Sequence, residues 1–196
     1  DMLDCDNYID YLLVNMFVAN SDWPGNNWRA IRRREAGAKF KFLIWDAERA
    51  CNPSSLNSNR TGVSGGAAEF HNYLIAHPQY KEAFKDRCDI HFGAGGQFAL
   101  TAGVHAAKQS FQSAMDDYSG TIYSESARWG DSRADNAPNA YTYTFDDPNY
   151  LPGQTDRGDW KRTSEYHRDV WMTQRRQIML NHLKAPTRDL ARSTLN

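Results

Sequence analysis

Three polar residues near the start of the chain have the types and the spacing that phosphoryl transfer requires. Asp22 lies five positions before Asn27, and Asp46 follows after a segment that is typical of two strands. A carboxylate such as Asp22 can orient an attacking hydroxyl group and accept its proton. The amide oxygen of Asn27 and the carboxylate of Asp46 can bind Mg²⁺ together with waters and phosphates. The pattern therefore predicts a site for metal-dependent phosphoryl transfer. The alternative is that Asp22 caps or turns the chain and Asp46 caps the segment that follows it.

The elements around these residues are predicted to bring them together. Apolar residues at helical spacing predict a helix over residues 5–20, which ends at a polar loop. Two strands are predicted at residues 28–34 and 39–45, and the short turn between them is typical of a β-hairpin. Because a hairpin brings its two ends together, we expect Asn27 and Asp46 to be neighbours.

The rest of the chain is predicted to be mainly helical. Residues 51–66 are rich in Asn, Ser, Gly and Pro, which is typical of a flexible lid, a binding loop or a disordered segment. A helical region is expected over residues 67–196, with an irregular segment at 130–160. The helices predicted there span residues 67–76, 78–92, 101–115, 118–129 and 164–183. We therefore expect one α+β domain over residues 1–196, predominantly helical, with its catalytic and metal-binding segment at 1–50.

Composition argues against several classes of protein. The formal net charge of −1 gives no support to a nucleic-acid-binding protein. No apolar run reaches the length of about 18 residues that a membrane-spanning helix needs. Tryptophans such as Trp45 and Trp171 are expected in the core. The histidines are expected at the surface or at helix caps rather than as metal ligands: His71, His77, His91, His105, His167 and His182.

Four segments around the three polar residues form a recurring pattern. They are Asn7–Phe17, Asn20–Trp23, Asn26–Trp28 and Phe42–Glu48. Together they resemble the CotH kinase family, the spore-coat protein H-like atypical kinases, whose pattern is a helix with V-N, then N-x-D, then H-N-Y/W, then W-D after apolar residues. Residues 124–131 also resemble a segment of bacterial members that occur in larger, often exported proteins.

The resemblance implies transfer of the ATP γ-phosphate to a protein hydroxyl, with serine as the expected acceptor and Mg²⁺ or Mn²⁺ as cofactor. By motif, Asp22 takes the place of the catalytic aspartate, while Asn27 and Asp46 take the places of the residues that bind the metal and the nucleotide. The implied fold is a protein-kinase-like C-terminal lobe with a small β-hairpin after the catalytic loop. The phosphate-binding Lys and its Glu partner belong to an N-terminal lobe, which we expect to be absent from this chain and supplied by the same polypeptide.

The resemblance also implies partners and a location. The expected partner is a protein substrate with a Ser-rich or basic acceptor segment, and neither nucleic acid nor a membrane span is expected. An exported or cell-surface bacterial protein is favoured, with the spore coat and the cytoplasm as further possibilities. A run of basic residues is either a solvated face of the hairpin or a surface for an acidic protein segment or phosphate: Arg29, Arg32, Arg33, Arg34, Lys39 and Lys41.

The sequence departs from the family pattern at two points, and alternatives follow from them. Asn26 stands where many members have His, and Ala47 and Glu48 follow Asp46 in place of Phe-Gly. Glu48 either adds a carboxylate to the metal site or faces solvent. One alternative function is a non-catalytic, pseudokinase-like module for binding or assembly at a surface or coat. Another is a hydrolase that uses the carboxylates of Asp46 and Glu48.

Overall fold

The fold is built around one buried helix near the start of the chain. The computed structural model describes residues 2–134 and 164–195. Helix α1 spans Cys5–Phe17, and the Asp4 carboxylate caps it by accepting a hydrogen bond from the Asn7 N–H at 3.1 Å. Apolar side chains cover most of its circumference, so it packs on several sides at once: Tyr8, Ile9, Tyr11, Leu12, Leu13, Met16 and Phe17 are buried.

Helix α1 ends earlier than residue 20, where the sequence pattern placed its end. Val18 caps the helix through its backbone N–H, which donates to the Val14 carbonyl at 2.9 Å. Ala19 then adopts a φ of 47°, in the left-handed region, so the helical hydrogen-bond ladder cannot continue. The chain leaves the helix at this point and enters the loop that contains Asp22.

A two-stranded antiparallel hairpin follows that loop. Strand β1 spans Trp28–Ile31 and strand β2 spans Lys41–Ile44, with Trp28 opposite Ile44. Both strands are shorter than predicted: residues 32–39 at the end of the hairpin are mostly exposed, and Phe40 bridges to Leu3 rather than to β1. Phe42 is buried on the face that packs on α1, where its ring lies 4.9 Å from the ring of Tyr8.

The segment at residues 51–66 contacts the core at defined points. A short 3₁₀ turn spans Pro53–Ser55, and a second one at Gly66–Ala68 leads into helix α2, which spans Glu69–Leu74. The side chains of Leu56 and Thr61 are buried. The role of this segment as a lid or a binding loop stays a prediction.

Helix α3 spans Pro78–Phe92, as predicted, and helix α4 spans Gly103–Ala134. The prediction of two helices at 101–115 and 118–129 was wrong, because α4 is continuous. Neither Pro nor Gly occurs at positions 116–117, and two Asp residues there do not interrupt a helix. The predicted irregular segment is helical as far as Ala134, and its remainder lies outside the described residues.

The last helical stretch confirms the prediction for residues 164–183. It includes a π-helical turn at His167–Trp171, which the sequence pattern did not predict, and then helix α5 at Met172–Lys184. Helix α5 packs against α1 in the main core, where three of its apolar side chains are fully buried: Met179, Leu180 and Leu183. The core is therefore shared between the two ends of the chain.

Two predictions for single residues were wrong. His71 is buried, with 1% of its surface exposed, and its Nδ1 lies 2.9 Å from the Tyr80 hydroxyl. Trp45 is 53% exposed because it directly follows β2 and lies beyond the packed face of the hairpin.

The described part of the chain is compatible with the predicted α+β class, since it combines several helices with a small antiparallel sheet that packs on α1. Its assignment to a kinase-like C-terminal lobe stays a prediction. Within the described ranges, every helix is too short or too polar to cross a bilayer.

Candidate active site

The structure brings the three predicted site residues together at one edge of the hairpin. Asp22 lies in the loop after α1, Asn27 directly precedes β1, and Asp46 follows β2. The Asn27 Nδ2 lies 3.4 Å from the Asp22 Oδ2 and 3.3 Å from the Asp46 carbonyl oxygen, so one amide group reaches both acidic residues. The expected proximity of Asn27 and Asp46 is confirmed, while the chemical roles of all three residues stay predictions.

Asn27 and Asp46 share an unusual backbone conformation. Their φ angles are 55° and 51°, both in the left-handed region that residues other than glycine rarely adopt. Asn and Asp tolerate this region better than most residues do, yet it still carries a conformational cost. Such strained positions cluster at functional sites, where the surrounding structure holds them. The hairpin ends therefore present two oxygen-bearing side chains from a constrained backbone.

The backbone around Asp22 is fixed by two buried asparagines. The Asn20 Oδ1 accepts a hydrogen bond from the Asp22 N–H at 3.2 Å. The Asn20 Nδ2 in turn donates to the Asn15 Oδ1 at 3.2 Å, and Asn15 donates to the Tyr11 carbonyl within α1. This chain of bonds ties the loop to the helix and leaves the Asp22 side chain partly exposed.

Charged neighbours surround the three residues. Arg49 is half-exposed, and its Nε lies 3.5 Å from the Asp22 Oδ2. A hydrogen bond with Asp46, together with the negative charges of Asp46 and Asp22, raises the pKa of the exposed Glu48 carboxyl. Glu48 therefore lies beside Asp46, and its membership of a metal site stays open. An open pocket of about 700 Å³ adjoins the cluster and is lined by Asp22, Gly25, Asn26, Asn27, Trp28, Arg29 and Ala30.

The donor set at this edge fits a magnesium ion that is shared with a nucleotide. Among the described residues, no group of three or more His, Cys, Asp or Glu side chains is arranged to hold a metal. Asn27 and Asp46 offer one amide oxygen and one carboxylate. Mg²⁺ usually keeps several waters and takes one or two carboxylates plus substrate phosphates, so a pair of protein ligands of this kind is sufficient.

The outer face of the hairpin, opposite the face that packs on α1, adjoins the cluster of Asp22, Asn27 and Asp46. The Arg29 guanidinium lies 5.3 Å from the centre of the Trp45 ring, within the range of a cation–π contact. Leu43 is exposed on the same face, opposite Arg29. Lys41, also on this face, pairs with Asp4 at 3.4 Å. Two members of the basic run, Arg29 and Lys41, therefore contact an aromatic ring and a carboxylate, respectively.

The sequence did not predict that two arginines support the backbone near the site. Arg60 donates hydrogen bonds to the carbonyls of Asn20 and Trp23, on either side of Asp22. Arg175, from α5, donates to three buried carbonyls, of which two are at the end of α1. Neither arginine belongs to a recognisable motif, and both contacts bridge long separations along the chain.

Comparison with known proteins finds a family match for residues 1–94. Residues 1–94 match the family described as CotH kinase protein, and this segment contains α1, the hairpin, α3 and the three site residues. Searches of the curated proteins and of the solved structures found no match. At the family level the match supports a kinase-type enzyme, and kinases as a class use ATP and a divalent metal. The resemblance to the CotH kinase family is therefore confirmed over residues 1–94.

Proposed function

We propose that the protein is a CotH-type atypical protein kinase that transfers the γ-phosphate of ATP to a protein hydroxyl, with serine as the expected acceptor. The observation that carries the proposal is that the Asn27 amide contacts both the Asp22 carboxylate and the Asp46 backbone carbonyl, beside an open pocket lined by Asp22 and Asn27. Asp22 orients the acceptor hydroxyl and takes its proton. Asn27 and Asp46 would hold Mg²⁺ or Mn²⁺, which neutralises negative charge on the phosphates when it is bound.

The acceptor that we propose from the family resemblance is a protein with a Ser-rich or basic segment. The carboxylates of Asp22, Asp46 and Glu48 offer negative charge to a basic segment, while Arg49 lies 3.5 Å from Asp22 and Arg29 lines the pocket. Charge at the site is therefore mixed, and the choice of acceptor rests on the resemblance.

The proposal refers to the whole protein. By the family resemblance, a phosphate-binding Lys and its Glu partner lie on an N-terminal lobe of the same polypeptide. An exported or cell-surface location belongs to the same proposal, and fractionation of cells that produce the protein tests it.

The first experiment measures transfer of labelled γ-phosphate from ATP to protein, with Mg²⁺ and with Mn²⁺. The full-length protein is compared with its Asp46→Asn variant. Asn is a suitable replacement because it tolerates the left-handed backbone of position 46 and removes only the charge. We expect transfer to fall at least about a hundredfold, since loss of a metal carboxylate removes several kcal/mol of charge stabilisation.

A matched control is Asp189→Asn. Asp189 also has a left-handed backbone, with a φ of 49°, and its carboxylate pairs with Lys81 and Lys85 at 3.2 Å, away from the site. We expect this variant to retain transfer. Transfer at the wild-type rate by Asp46→Asn would refute the assignment of Asp46. Nucleotide-independent hydrolysis of a glycan or a phosphoester would instead favour a hydrolase.

A second candidate function is a non-catalytic binding or assembly module. The observation in its favour is the exposed apolar surface of the hairpin, where Ile31, Leu43 and Trp45 are each at least 42% exposed. Exposed apolar side chains that lie close together on one face are a feature of interaction sites. Binding of a protein partner without ATP consumption, retained by Asp46→Asn and lost in Leu43→Asp, would support this function.

A further inference from the structure

Arg60 holds one peptide group on either side of Asp22. Its Nη2 donates to the Asn20 carbonyl at 2.8 Å and also to the Trp23 carbonyl. These carbonyls lie two positions before and one position after Asp22, so a single guanidinium fixes the backbone on both sides of this residue. Burial lowers the pKa of Arg60, because removal from water disfavours the charged guanidinium.

The same part of the chain holds the loop at a second point. The Ala67 N–H donates to the Pro24 carbonyl at 3.2 Å. Gly66 has a φ of 47°, and a Cβ atom at this position would lie 1.9 Å from the Pro24 oxygen. Only glycine permits this approach. The contacts at Trp23 and Pro24 are therefore made by residues of one segment.

That segment, which we name the anchoring segment and define as residues 56–67, is itself fixed at both ends. At its start, the Leu56 carbonyl accepts a hydrogen bond from the Arg175 Nη1 at 2.6 Å. At its end, the Ala67 carbonyl accepts one from the Tyr8 hydroxyl at 2.8 Å. Both donors belong to buried side chains of the core. Arg60 thus extends from a rigid support toward the loop.

We propose that Arg60 is a positioning residue that sets the location of the Asp22 carboxylate for phosphoryl transfer. This inference rests on the proposed function. Arg60 contacts backbone carbonyls rather than the Asp22 side chain, so it acts through the loop. A displacement of about 1 Å at a reacting group can reduce a rate about a hundredfold, so loss of Arg60 should act mainly on the catalytic step.

The kinetic test compares Arg60→Lys and Arg60→Met in the full-length protein. Lysine retains a cation and hydrogen-bond donors, whereas methionine retains only the length of the side chain. We expect kcat to fall about tenfold to a hundredfold in Arg60→Met and less in Arg60→Lys, while KM for ATP stays within about threefold. The matched control is Arg176→Met, because Arg176 is a buried arginine that donates to the Phe92 carbonyl at 2.7 Å, on a different helix.

Hydrogen exchange of backbone amides separates this inference from the proposed function. In Arg60→Met we expect faster exchange at residues 20–27 and unchanged exchange in α3. In Arg176→Met the pattern should be reversed, with changes near Phe92. Gly66→Ala provides a second route to the same loop if Arg60→Met does not fold.

The outcomes are distinct. A wild-type protein that transfers no phosphate would overturn the proposed function, whereas faster exchange at residues 20–27 in Arg60→Met would still show that Arg60 fixes the loop. Unchanged exchange at residues 20–27 in both Arg60→Met and Gly66→Ala would overturn the inference. So would a loss of kcat in Arg60→Met that is no larger than the loss in Arg176→Met.

Discussion

The side-chain amide of Asn27 connects the loop that precedes the hairpin with the residue that follows it. Its Nδ2 lies 3.4 Å from the Asp22 Oδ2 and 3.3 Å from the Asp46 carbonyl oxygen. The connection joins residues that are 24 positions apart in the chain. Asn27 makes it from a left-handed backbone, with a φ of 55°. The amide and the backbone conformation of this residue can therefore be tested separately.

Replacement of Asn27 by Gly and by Ala separates these two contributions. Both variants lose the amide, so we expect phosphoryl transfer to fall to a similar extent in both. Gly adopts the left-handed region freely, whereas Ala carries a penalty of about 1 kcal/mol. The free energy of unfolding, measured with urea, should therefore be lower in Asn27→Ala than in Asn27→Gly. Equal stabilities would show that the backbone at position 27 is not constrained as described.

The pair of buried asparagines should be energetically coupled. The Asn20 Nδ2 donates to the Asn15 Oδ1 at 3.2 Å, and both residues are at most 2% exposed. We expect Asn20→Ala to cost about 1–3 kcal/mol, because it leaves the Asp22 N–H without its acceptor. In a double-mutant cycle with Asn15→Ala, the coupling energy should be about 1 kcal/mol. Asn57→Ala, at an exposed position, is the control and should change stability by less than about 0.5 kcal/mol.

Arg175 is expected to be among the most important single residues for stability. Its guanidinium donates to the carbonyls of Met16, Phe17 and Leu56 at 2.6–2.8 Å, and the residue is 1% exposed. Arg175→Met would leave three buried acceptors without donors, so we expect a loss of about 3–5 kcal/mol. The urea midpoint measures this loss.

Arg168→Met is the control for the Arg175 prediction. Arg168 is largely shielded at its side chain but pairs with the half-exposed Asp169, and such ion pairs contribute about 0–1 kcal/mol. A variant at position 175 that is no less stable than the variant at position 168 would contradict the role given to the three carbonyls.

Stability should fall in mild acid because of His71. Burial, together with the charge of Arg188, lowers the pKa of His71 to about 4 from its usual 6.5. Between these values the unfolded chain binds more protons than the native one, so the free energy of unfolding decreases as the pH falls from 6.5 toward 4. The contribution of His71 to this decrease between pH 7 and pH 5 should be on the order of 2 kcal/mol.

His71→Asn isolates that contribution, because Asn does not titrate. Burial also lowers the pKa of His167 and of His182, and both remain in the variant. We therefore expect a reduced but non-zero loss of stability between pH 7 and pH 5 in His71→Asn, measured by urea denaturation at each pH. An identical loss in the variant and the wild type would show that His71 is not held neutral by the fold.

The local elements of the site were predictable because short-range patterns determine them. Helical apolar spacing predicted α1, and alternating apolar residues around Gly37 predicted the hairpin, so the proximity of Asn27 and Asp46 followed from geometry. The exposure of Trp45 was not predicted, because it depends on which face of the hairpin meets α1. Composition cannot distinguish the two faces when both carry apolar residues.

The long-range supports of the site were not predictable from one sequence. Arg60 contacts a loop 40 and 37 positions earlier, and Arg175 contacts the end of α1 across more than 150 positions. Such bonds depend on the packed tertiary structure rather than on periodicity or turn chemistry. The continuity of α4 was missed for a different reason, since a pair of Asp residues is only a weak helix breaker.

The bonds from Arg175 also determine how much of the chain is needed to support the site residues. The family signature ends at residue 94, yet the last turn of α1 is closed by a side chain from α5, at Met172–Lys184. A gene segment that carried only the signature through recombination would encode Asp22, Asn27 and Asp46 without the residue that completes the helix before them. Transfer of the three polar residues to another protein would therefore require transfer of the helix that carries Arg175 as well.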